Sequence, residues 1–210
     1  MIFPKKPIVI TGPSGAGKSE LIKYVMSKDG DFVESKGCTT RQPRDMDDFM
    51  SMYFLTREEF EKKIENNEFL EHTIYNGEYY GTQISEMSKL YKHNLLFSVA
   101  YSAGKVIKEM DPEAVMIYIL PPNAQELRKR LGDRYTPERF TKGITETMDN
   151  SQHYDYLLIS ETGNMEAVYQ NFMKIVNREG NYQDFRIDNP EVKKFLERYY
   201  DDFLPGTNGY

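Results

Sequence analysis

Residues 8–19 read IVITGPSGAGKS, a short apolar run followed by a glycine-rich turn. From Gly12 to Ser19 the turn fits the pattern G-x-x-x-x-G-K-[ST], and helical spacing of apolar residues begins directly after it. Glycines in such a turn let successive backbone N–H groups curl around phosphate oxygens, and the dipole of the following helix adds to the attraction. An accidental glycine turn seldom falls between a strand and a helix. The segment therefore predicts a phosphate-binding loop, called the phosphate loop below.

The residue types in this loop predict Mg-ATP as its ligand. Lys18 is expected to reach the β- and γ-phosphates, and the hydroxyl of Ser19 is expected to be a ligand of Mg²⁺. The other residues expected to bind ATP are Gly12, Ser14, Gly15, Ala16 and Gly17. A phosphate loop by itself does not distinguish a kinase from a GTPase switch or an ATP-driven motor. The rest of the chain has to make that distinction.

Apolar runs that alternate with helical patterns predict the fold class. The runs at 8–10, 95–97, 115–120 and 157–159 are typical of buried strands in a parallel sheet. Helical stripes of apolar residues at 21–26 and 168–176 lie between or after them. Repeated strand, helix and strand predict an α/β, three-layer sandwich with a parallel central sheet.

Two segments interrupt this rhythm and predict the internal organisation of one domain, 1–210. Residues 32–91 contain a capping box at Thr56 to Glu59 between short tyrosine-rich strands, which predicts an inserted α+β subdomain that binds the acceptor. Residues 126–144 are densely charged and predict a short lid. The core then comprises 1–31, 92–125 and 145–180, and 181–210 is a C-terminal extension. Its last amphipathic helix is predicted to pack on its own core.

Composition excludes several classes of protein. With 39% hydrophobic and 29% charged residues, the chain is globular and not disordered. A formal net charge of -6 argues against a nucleic acid polymer as partner. Cys38 is the single cysteine, so an internal disulfide is impossible and a reducing compartment is favoured. Without an apolar leader or a run long enough to span a bilayer, a cytoplasmic protein with no membrane partner is expected, and its oligomeric state stays open.

A second cluster of motifs predicts an acceptor site. Arg41 and Arg44 stand three residues apart in a turn-forming stretch, and guanidinium forks suit the oxygens of a monophosphate. Tyr53 follows, then the stretches FLEH at 69–72 and NGEYYGT at 76–82. Together with the phosphate loop, this order and spacing resembles the guanylate kinase family from about residue 7 to 178.

The resemblance implies a role for each matching residue. Those expected to bind the acceptor phosphate are Arg41, Arg44, Tyr53 and Tyr80. Glu71 is expected to accept hydrogen bonds from N1–H and the 2-amino group of guanine, and Thr82 to bond O6. Guanine N1–H donates a hydrogen bond to a carboxylate, whereas adenine N1 carries a lone pair that repels the carboxylate. In the lid, Arg130 and Arg134 are expected to contact the transferring phosphoryl group, and they join Lys18 as the predicted catalytic residues.

The chain departs from the family pattern in functional places. Gly37 stands where the family usually has a serine on the acceptor phosphate. Ser98 and Ala100 replace two aspartates at the end of a central strand. The lid is shorter, with Gly143 near an expected arginine, and Ser160-Glu161 replaces an Asn-Asp pair at the adenine side of the ATP pocket.

These departures leave two questions open at the level of sequence. Without an acid at Ala100, one guanine amino hydrogen lacks its partner. Besides GMP or dGMP, the acceptor can then be one with N1–H and a carbonyl but no 2-amino group, such as hypoxanthine, or a modified pyrimidine that offers N3–H and O4. The second question is activity. A nucleoside monophosphate kinase is the favoured prediction, because binding modules of this family typically lose the phosphate loop that this chain retains. A non-catalytic guanylate-kinase-like binding module is the main alternative, and an NTPase switch, which needs no acceptor arginines, is a third.

Overall fold

The computed structural model describes residues 3–43, 46, 48–75, 77–132, 136, 145 and 149–202. Its strands in chain order are β1 (Pro7–Thr11), β2 (Phe32–Glu34), β3 (Gly37–Thr39), β4 (Met52–Phe54), β5 (Phe69–Tyr75), β6 (Glu78–Gln83), β7 (Asn94–Phe97), β8 (Val115–Leu120) and β9 (Tyr156–Ile159). Its α-helices are α1 (Lys18–Lys28), α2 (Asp48–Ser51), α3 (Arg57–Glu65), α4 (Tyr101–Met110), α5 (Ala124–Leu131), α6 (Met165–Asn177) and α7 (Pro190–Asp201). Short 3-10 helices lie at Ile84–Tyr91, Ser151–His153 and Tyr182–Phe185.

A five-stranded sheet with the order β2-β7-β1-β8-β9 forms the core. β7 pairs in parallel with both β1 and β2, and β8 pairs in parallel with β9. All residues of β1 and β8 are buried, as expected for strands covered on both faces. The predicted α/β class with a parallel central sheet is therefore confirmed, and the apolar runs of the sequence coincide with its strands.

The chain divides into two compact units, and each is described separately. Unit 1 consists of Met1–Val9 and Asp29–Ala114, and unit 2 of Ile10–Lys28 and Val115–Tyr210. The phosphate loop therefore belongs to unit 2. The predicted acceptor residues Arg41, Glu71 and Thr82 belong to unit 1.

Unit 1 contains a second sheet with the order β4-β3-β6-β5. Helix α3 packs on it through Phe60, whose ring stacks on Phe69 at 4.4 Å and on Tyr79 at 5.0 Å between centroids. The predicted capping box starts this helix: the Thr56 side chain accepts from the backbone N–H of Glu59, and the Glu59 carboxylate accepts from the backbone N–H of Thr56.

In unit 2, α6 packs against α1. Tyr24 on α1 donates a 2.7 Å hydrogen bond to Glu166 on α6, and Lys28 forms an ion pair with the same carboxylate at 3.2 Å. The last helix, α7, begins at Pro190 behind the capping side chain of Asn189 and buries Leu196 and Tyr199 among other residues, as its apolar stripe predicts. Across the described part of the chain, no helix combines the length and apolar character that crossing a bilayer requires.

Candidate functional site

The phosphate loop follows β1 directly and leads into α1. A side chain at Gly12 is impossible, because its Cβ would lie 2.3 Å from the carbonyl oxygen of Ile119 on β8. Gly17 has φ +96°, a backbone conformation that favours glycine. Close packing at one end of the loop and left-handed backbone at the other explain why both glycines of the motif are needed. The loop thus presents backbone N–H groups at the N-terminus of a helix.

Lys18 lies at the first position of α1. Its Nζ donates hydrogen bonds to the carbonyl oxygens of Gly12 at 2.7 Å and Pro13 at 3.0 Å. Burial lowers the pKa of Lys18 to about 8. Both acceptors are neutral carbonyls, so these two hydrogen bonds give the desolvated ammonium no negatively charged partner. A polyphosphate next to the loop would supply the missing negative charge.

Ser19 follows in the first turn of α1, and the residue is exposed. Mg²⁺ prefers hard oxygen ligands and binds nucleotide sites through one or two protein oxygens, phosphate oxygens and water. A single exposed hydroxyl beside a phosphate-binding turn fits that requirement. In the described part of the chain, no cluster of three or more His, Cys, Asp or Glu side chains forms a self-sufficient metal site.

Arg130, near the end of α5, contacts the phosphate loop and the segment after β9. Its Nε donates to Glu126 at 3.1 Å, and its Nη1 donates to the Ser160 hydroxyl at 2.8 Å. Its Nη2 donates to the Ser160 carbonyl at 2.7 Å and to the Thr162 hydroxyl at 2.8 Å. The hydrogen bond from Thr162 and then that from Arg130 hold the pKa of the Glu126 carboxyl below its ordinary value. The predicted Arg130 thus contacts Ala16 of the phosphate loop and the segment after β9, whereas Arg134 lies outside the described residues.

Ser160 has a role that the sequence did not predict. The residue is buried, and its hydroxyl donates a 2.7 Å hydrogen bond to the carbonyl of Ala16 in the phosphate loop. The same hydroxyl accepts from Arg130, so both helix α5 and the phosphate loop are joined to the end of β9. The sequence marked this position only as a changed edge of the ATP pocket. Its partner lies 144 residues away, so no local pattern could have indicated the contact.

A pocket of about 500 Å³ opens beside these residues within unit 2. Its lining includes Gly17 of the phosphate loop, Arg130 of α5 and the segment that follows β9. The complete lining is Gly17, Glu20, Glu126, Lys129, Arg130, Ser160, Glu161, Thr162, Gly163 and Met165. The volume lies within the usual range for small-molecule sites. A pocket contiguous with a phosphate loop is suited to the nucleoside part of a nucleotide.

In unit 1, the register of the second sheet aligns four residues across four strands. Gly37 on β3 pairs with Met52 on β4 and with Thr82 on β6, and Thr82 pairs with Glu71 on β5. The Thr82 hydroxyl donates to the Glu71 carboxylate at 3.2 Å. Burial raises the pKa of Glu71, and the Thr82 hydrogen bond partly opposes that shift. The two residues predicted to read the acceptor base are therefore brought together as neighbours.

Two further predicted acceptor residues lie on a strand of the same sheet or directly after one. Tyr80 precedes Thr82 by two positions on β6, so both side chains share a face, and Tyr80 pairs with Thr39 at the end of β3. Arg41 follows β3 after one intervening residue. Its guanidinium donates to the carbonyl of Gln42 at 2.9 Å and lies 5.6 Å from the ring centre of Phe54. Arg44 lies outside the described residues.

Tyr53 is not brought into this group. It pairs with Cys38, one residue out of step with the row of Met52, Gly37 and Thr82. Because side chains alternate along a strand, Tyr53 projects from the other face of the second sheet. Burial, followed by the charge of the Glu86 carboxylate, raises the pKa of Tyr53.

Met52 takes the position that Tyr53 was predicted to hold. Its Sδ would lie 3.0 Å from a Cβ at position 37, so Gly37 leaves room for the Met52 thioether on the Glu71 and Thr82 face. Side chains alternate between the two faces of a strand, so the sequence could have indicated that Met52 and Tyr53 point to opposite faces. Which of the two shares a face with Thr82 depends on how β4 pairs with β3, and that is a tertiary feature.

Ala100 is the N-cap residue of α4, and no side-chain hydrogen bond caps that helix. Helix α4 packs against β5, the strand of Glu71. Ser98 and Ala100 are both exposed. The sequence departure at position 100 therefore lies on an element that contacts the base-reading strand, and it leaves that helix end without a carboxylate.

Comparison with known proteins agrees with this geometry. The family model described as guanylate kinase matches residues 4–179. The guanylate kinase of Prochlorococcus marinus strain MIT 9312 is 41% identical over 135 residues, covering 63% of this chain and 73% of that protein. The guanylate kinase of Prochlorococcus marinus subsp. pastoris is 34% identical over 182 residues, covering 82% of this chain and 97% of that protein.

A solved structure extends the similarity to the fold. The crystal structure of guanylate kinase from Anaplasma phagocytophilum aligns with a TM-score of 0.62 at 23% identity, covering 93% of this chain and 95% of that one. The matched family model spans both the phosphate loop and the Glu71–Thr82 pair. By sequence and by fold, the chain belongs to the guanylate kinase family of phosphotransferases.

Proposed function

We propose that this protein transfers the γ-phosphoryl group of Mg-ATP to GMP, dGMP or a closely related nucleoside monophosphate. The observation that carries the proposal is the complete phosphate loop, in which Lys18 is desolvated and bonded to neutral carbonyls. A protein that only bound the acceptor would have no use for this partly buried cation. Phosphoryl transfer needs such a cation, because its catalysis consists mainly of positioning the reactants and neutralising negative charge on the phosphates.

The donor half of the reaction is assigned to unit 2. The backbone of the phosphate loop would hold the phosphates, and the Lys18 ammonium would balance charge on the β- and γ-phosphates. Ser19 would hold Mg²⁺, which when bound neutralises phosphate charge. The pocket bounded by Arg130, Ser160 and Thr162 would hold the nucleoside. Arg134, by family resemblance, would join Arg130 near the transferring group.

The acceptor half is assigned to the second sheet of unit 1. In the free protein, the Thr82 hydroxyl donates to Glu71. A guanine base offers N1–H to a carboxylate and O6 to a hydroxyl, so binding exchanges one internal hydrogen bond for two with the base. Burial raises the pKa of Glu71, and an N–H donor that bonds the carboxylate favours its ionised form. Arg41, Tyr80 and, by resemblance, Arg44 would bind the acceptor phosphate.

The reaction balances without a further reactant. An oxygen of the acceptor monophosphate forms a bond to the γ-phosphorus of ATP, and the bond from that phosphorus to the β-phosphate oxygen breaks. The products are ADP and a nucleoside diphosphate. The arginines and Lys18 remain charged throughout and compensate the negative charge that spreads over the transferring oxygens.

A guanylate-kinase-like binding module is the second candidate. The observation that favours it is the absence of a carboxylate at Ser98 and Ala100. Loss of those acids affects acceptor reading and the magnesium region, but it leaves Lys18 and the phosphate loop intact. Phosphoryl transfer is the stronger proposal for that reason.

The deciding experiment incubates the protein with Mg-ATP and one monophosphate at a time, from a panel of GMP, dGMP, IMP, AMP and pyrimidine monophosphates. Mass spectrometry detects the diphosphate product. Formation of GDP, dGDP or IDP with ADP in equal amount is expected. A protein that binds GMP in a titration but forms no diphosphate from any member of the panel would instead be a binding module.

A further inference from the structure

Within unit 1 the chain crosses twice between strands of the five-stranded sheet and the second sheet. The first crossing is Ser35-Lys36, between the end of β2 in the five-stranded sheet and the start of β3 in the second sheet. The return crossing contains the 3-10 helix Ile84–Tyr91, which connects β6 to the segment before β7. Contacts between these two crossing segments therefore help to fix the position of the second sheet within unit 1.

Glu86 lies on the return crossing and is only 4% exposed. Its Oε2 accepts a 2.6 Å hydrogen bond from the backbone N–H of Lys36, on the first crossing. The same oxygen accepts from Lys89 Nζ at 2.6 Å, and Lys89 also donates to the carbonyl of Glu34 at 3.4 Å. One carboxylate therefore joins both crossings directly, and its lysine partner reaches the end of β2.

The strand β4 lies near the same carboxylate. Burial, followed by the charge of Glu86, raises the pKa of Tyr53 on β4. The Lys36 ammonium lies 5.3 Å from the centre of the Tyr53 ring and donates to the carbonyl of Phe49 at 3.2 Å. Glu86 thus accepts from the first crossing and from its own helix, and the Lys36 side chain on that crossing contacts the segment of β4.

A buried carboxylate is expensive unless its charge is paired and its oxygens are hydrogen-bonded, and Glu86 meets both conditions. This paired carboxylate makes the position of the two crossings specific, because an apolar side chain at 86 would leave the Lys36 N–H and the Lys89 ammonium without this acceptor.

We propose that Glu86 is a positioning residue for acceptor binding, which rests on the function proposed above. By fixing the two crossings, Glu86 holds both β3, which leads to Arg41, and β6, which carries Tyr80 and Thr82. It acts through these strands and does not itself touch the acceptor.

The test replaces Glu86 by glutamine. Glu86→Gln keeps the size of the side chain but removes its charge. It also places an NH2 donor next to the Lys36 N–H and the Lys89 ammonium, which are donors themselves. The expected result is a rise of about tenfold in the dissociation constant and KM for GMP, with the dissociation constant for ATP unchanged. The matched control is Glu68→Gln, which removes a more exposed carboxylate paired with Lys63 in the same unit and should leave GMP binding unchanged.

Hydrogen exchange supplies a readout that does not depend on turnover. The amide of Lys36 and the amides of β3 should exchange about tenfold faster in Glu86→Gln than in the wild type. Faster exchange in a chain that forms no diphosphate would support the role of Glu86 while refuting the proposed function. An equal loss of GMP and ATP binding, or unchanged exchange at Lys36, would overturn the proposal, and a lower melting temperature with unchanged GMP binding would reduce Glu86 to a structural role.

Discussion

The Ser160 hydroxyl donates a 2.7 Å hydrogen bond to the Ala16 carbonyl and joins the end of β9 to the phosphate loop. Because this hydroxyl is buried and also accepts from Arg130, its removal takes one hydrogen bond from each partner and leaves the Ala16 carbonyl with the long 3.5 Å bond from Arg130 Nη1. Ser160→Ala should raise the dissociation constant for ATP about tenfold, equivalent to about 1.4 kcal/mol, and leave that for GMP unchanged. Isothermal titration with each nucleotide measures both values.

The control for this prediction is Thr162→Val. Thr162 also accepts from Arg130, but its hydroxyl donates to Glu126 and not to the phosphate loop. Its removal should affect ATP binding less than Ser160→Ala does. Equal effects of the two variants would show that Arg130, and not the Ala16 carbonyl, is the group through which Ser160 acts.

Lys18 provides a prediction about pH. Burial lowers the pKa of Lys18 to about 8 in the free protein, and bound phosphates should raise it again. ATP binding should therefore take up a proton at about pH 9, where the free amine is largely neutral. Titration calorimetry in two buffers with different ionisation enthalpies measures this uptake.

Lys18→Ala should abolish both the proton uptake and phosphoryl transfer. The folded-state pKa lies below the unfolded value, so the unfolded chain binds more protons between about pH 8 and 10, and Lys18 makes stability rise with pH in that window. The alanine variant should lose this rise and keep its fold at neutral pH. Turnover at the wild-type rate would contradict the role assigned to the phosphate loop.

Arg41 should matter for the acceptor far more than for ATP. It follows β3 in unit 1, whereas the phosphate loop belongs to unit 2. Arg41→Ala should weaken GMP binding by at least about tenfold, since a charge-assisted hydrogen bond contributes about 1.5–3 kcal/mol. Arg57→Ala is the control, because Arg57 bonds the carbonyl of Gly77 and stacks on Tyr79 away from the proposed site. Equal losses for ATP and GMP in Arg41→Ala would refute the assignment.

The Glu71 carboxyl should make acceptor binding sensitive to acid. Burial raises the pKa of Glu71, so it protonates at a higher pH than an ordinary glutamate, and the protonated form cannot accept the base N–H in the same way. The dissociation constant for GMP should rise as pH falls through this raised pKa, with a smaller change for ATP. Glu71→Gln should bind GMP weakly at every pH. A GMP affinity that stays constant through mildly acidic pH would argue against Glu71 as the base ligand.

Ala100 should govern how strongly the 2-amino group of guanine is read. With no acid at this position, the preference for GMP over IMP in kcat/KM should be smaller than in an enzyme with both acids. Ala100→Asp should raise it about tenfold, if the recovered hydrogen bond contributes about 1.4 kcal/mol. The substitution also caps α4, whose N-cap now makes no side-chain bond.

Ala100→Ser separates these two effects, because serine caps a helix but reaches less far and carries no charge. Both variants should gain stability on thermal unfolding, and only the aspartate should change the GMP to IMP ratio. The same ratio in Ala100→Asp and the wild type would mean that another group, such as Tyr101 or water, already serves the amino hydrogen.

Local patterns in the sequence were sufficient for the fold class and for the donor loop. The apolar runs coincide with β1, β7, β8 and β9, and the Thr56 capping box starts α3, because both features depend on residues within a few positions of one another. The G-x-x-x-x-G-K-[ST] pattern located Lys18 and Ser19 for the same reason. The pairing of Glu71 with Thr82 came from resemblance and not from local spacing, and the register of β5 with β6 brings them together.

The tertiary structure shows that Met52, and not Tyr53, shares a face of the second sheet with Thr82. The choice depends on which residue of β4 pairs with Gly37, and a shift of one residue moves every side chain of a strand to the other face. The contacts of Ser160 with Ala16 and of Glu86 with Lys36 join residues that are 144 and 50 positions apart. Sequence alone determined the chemistry available to this protein, since residue types and short-range spacing set it. The tertiary structure decided which of these side chains contact one another. Contacts between residues far apart in sequence form only when the folded core brings their strands and helices together.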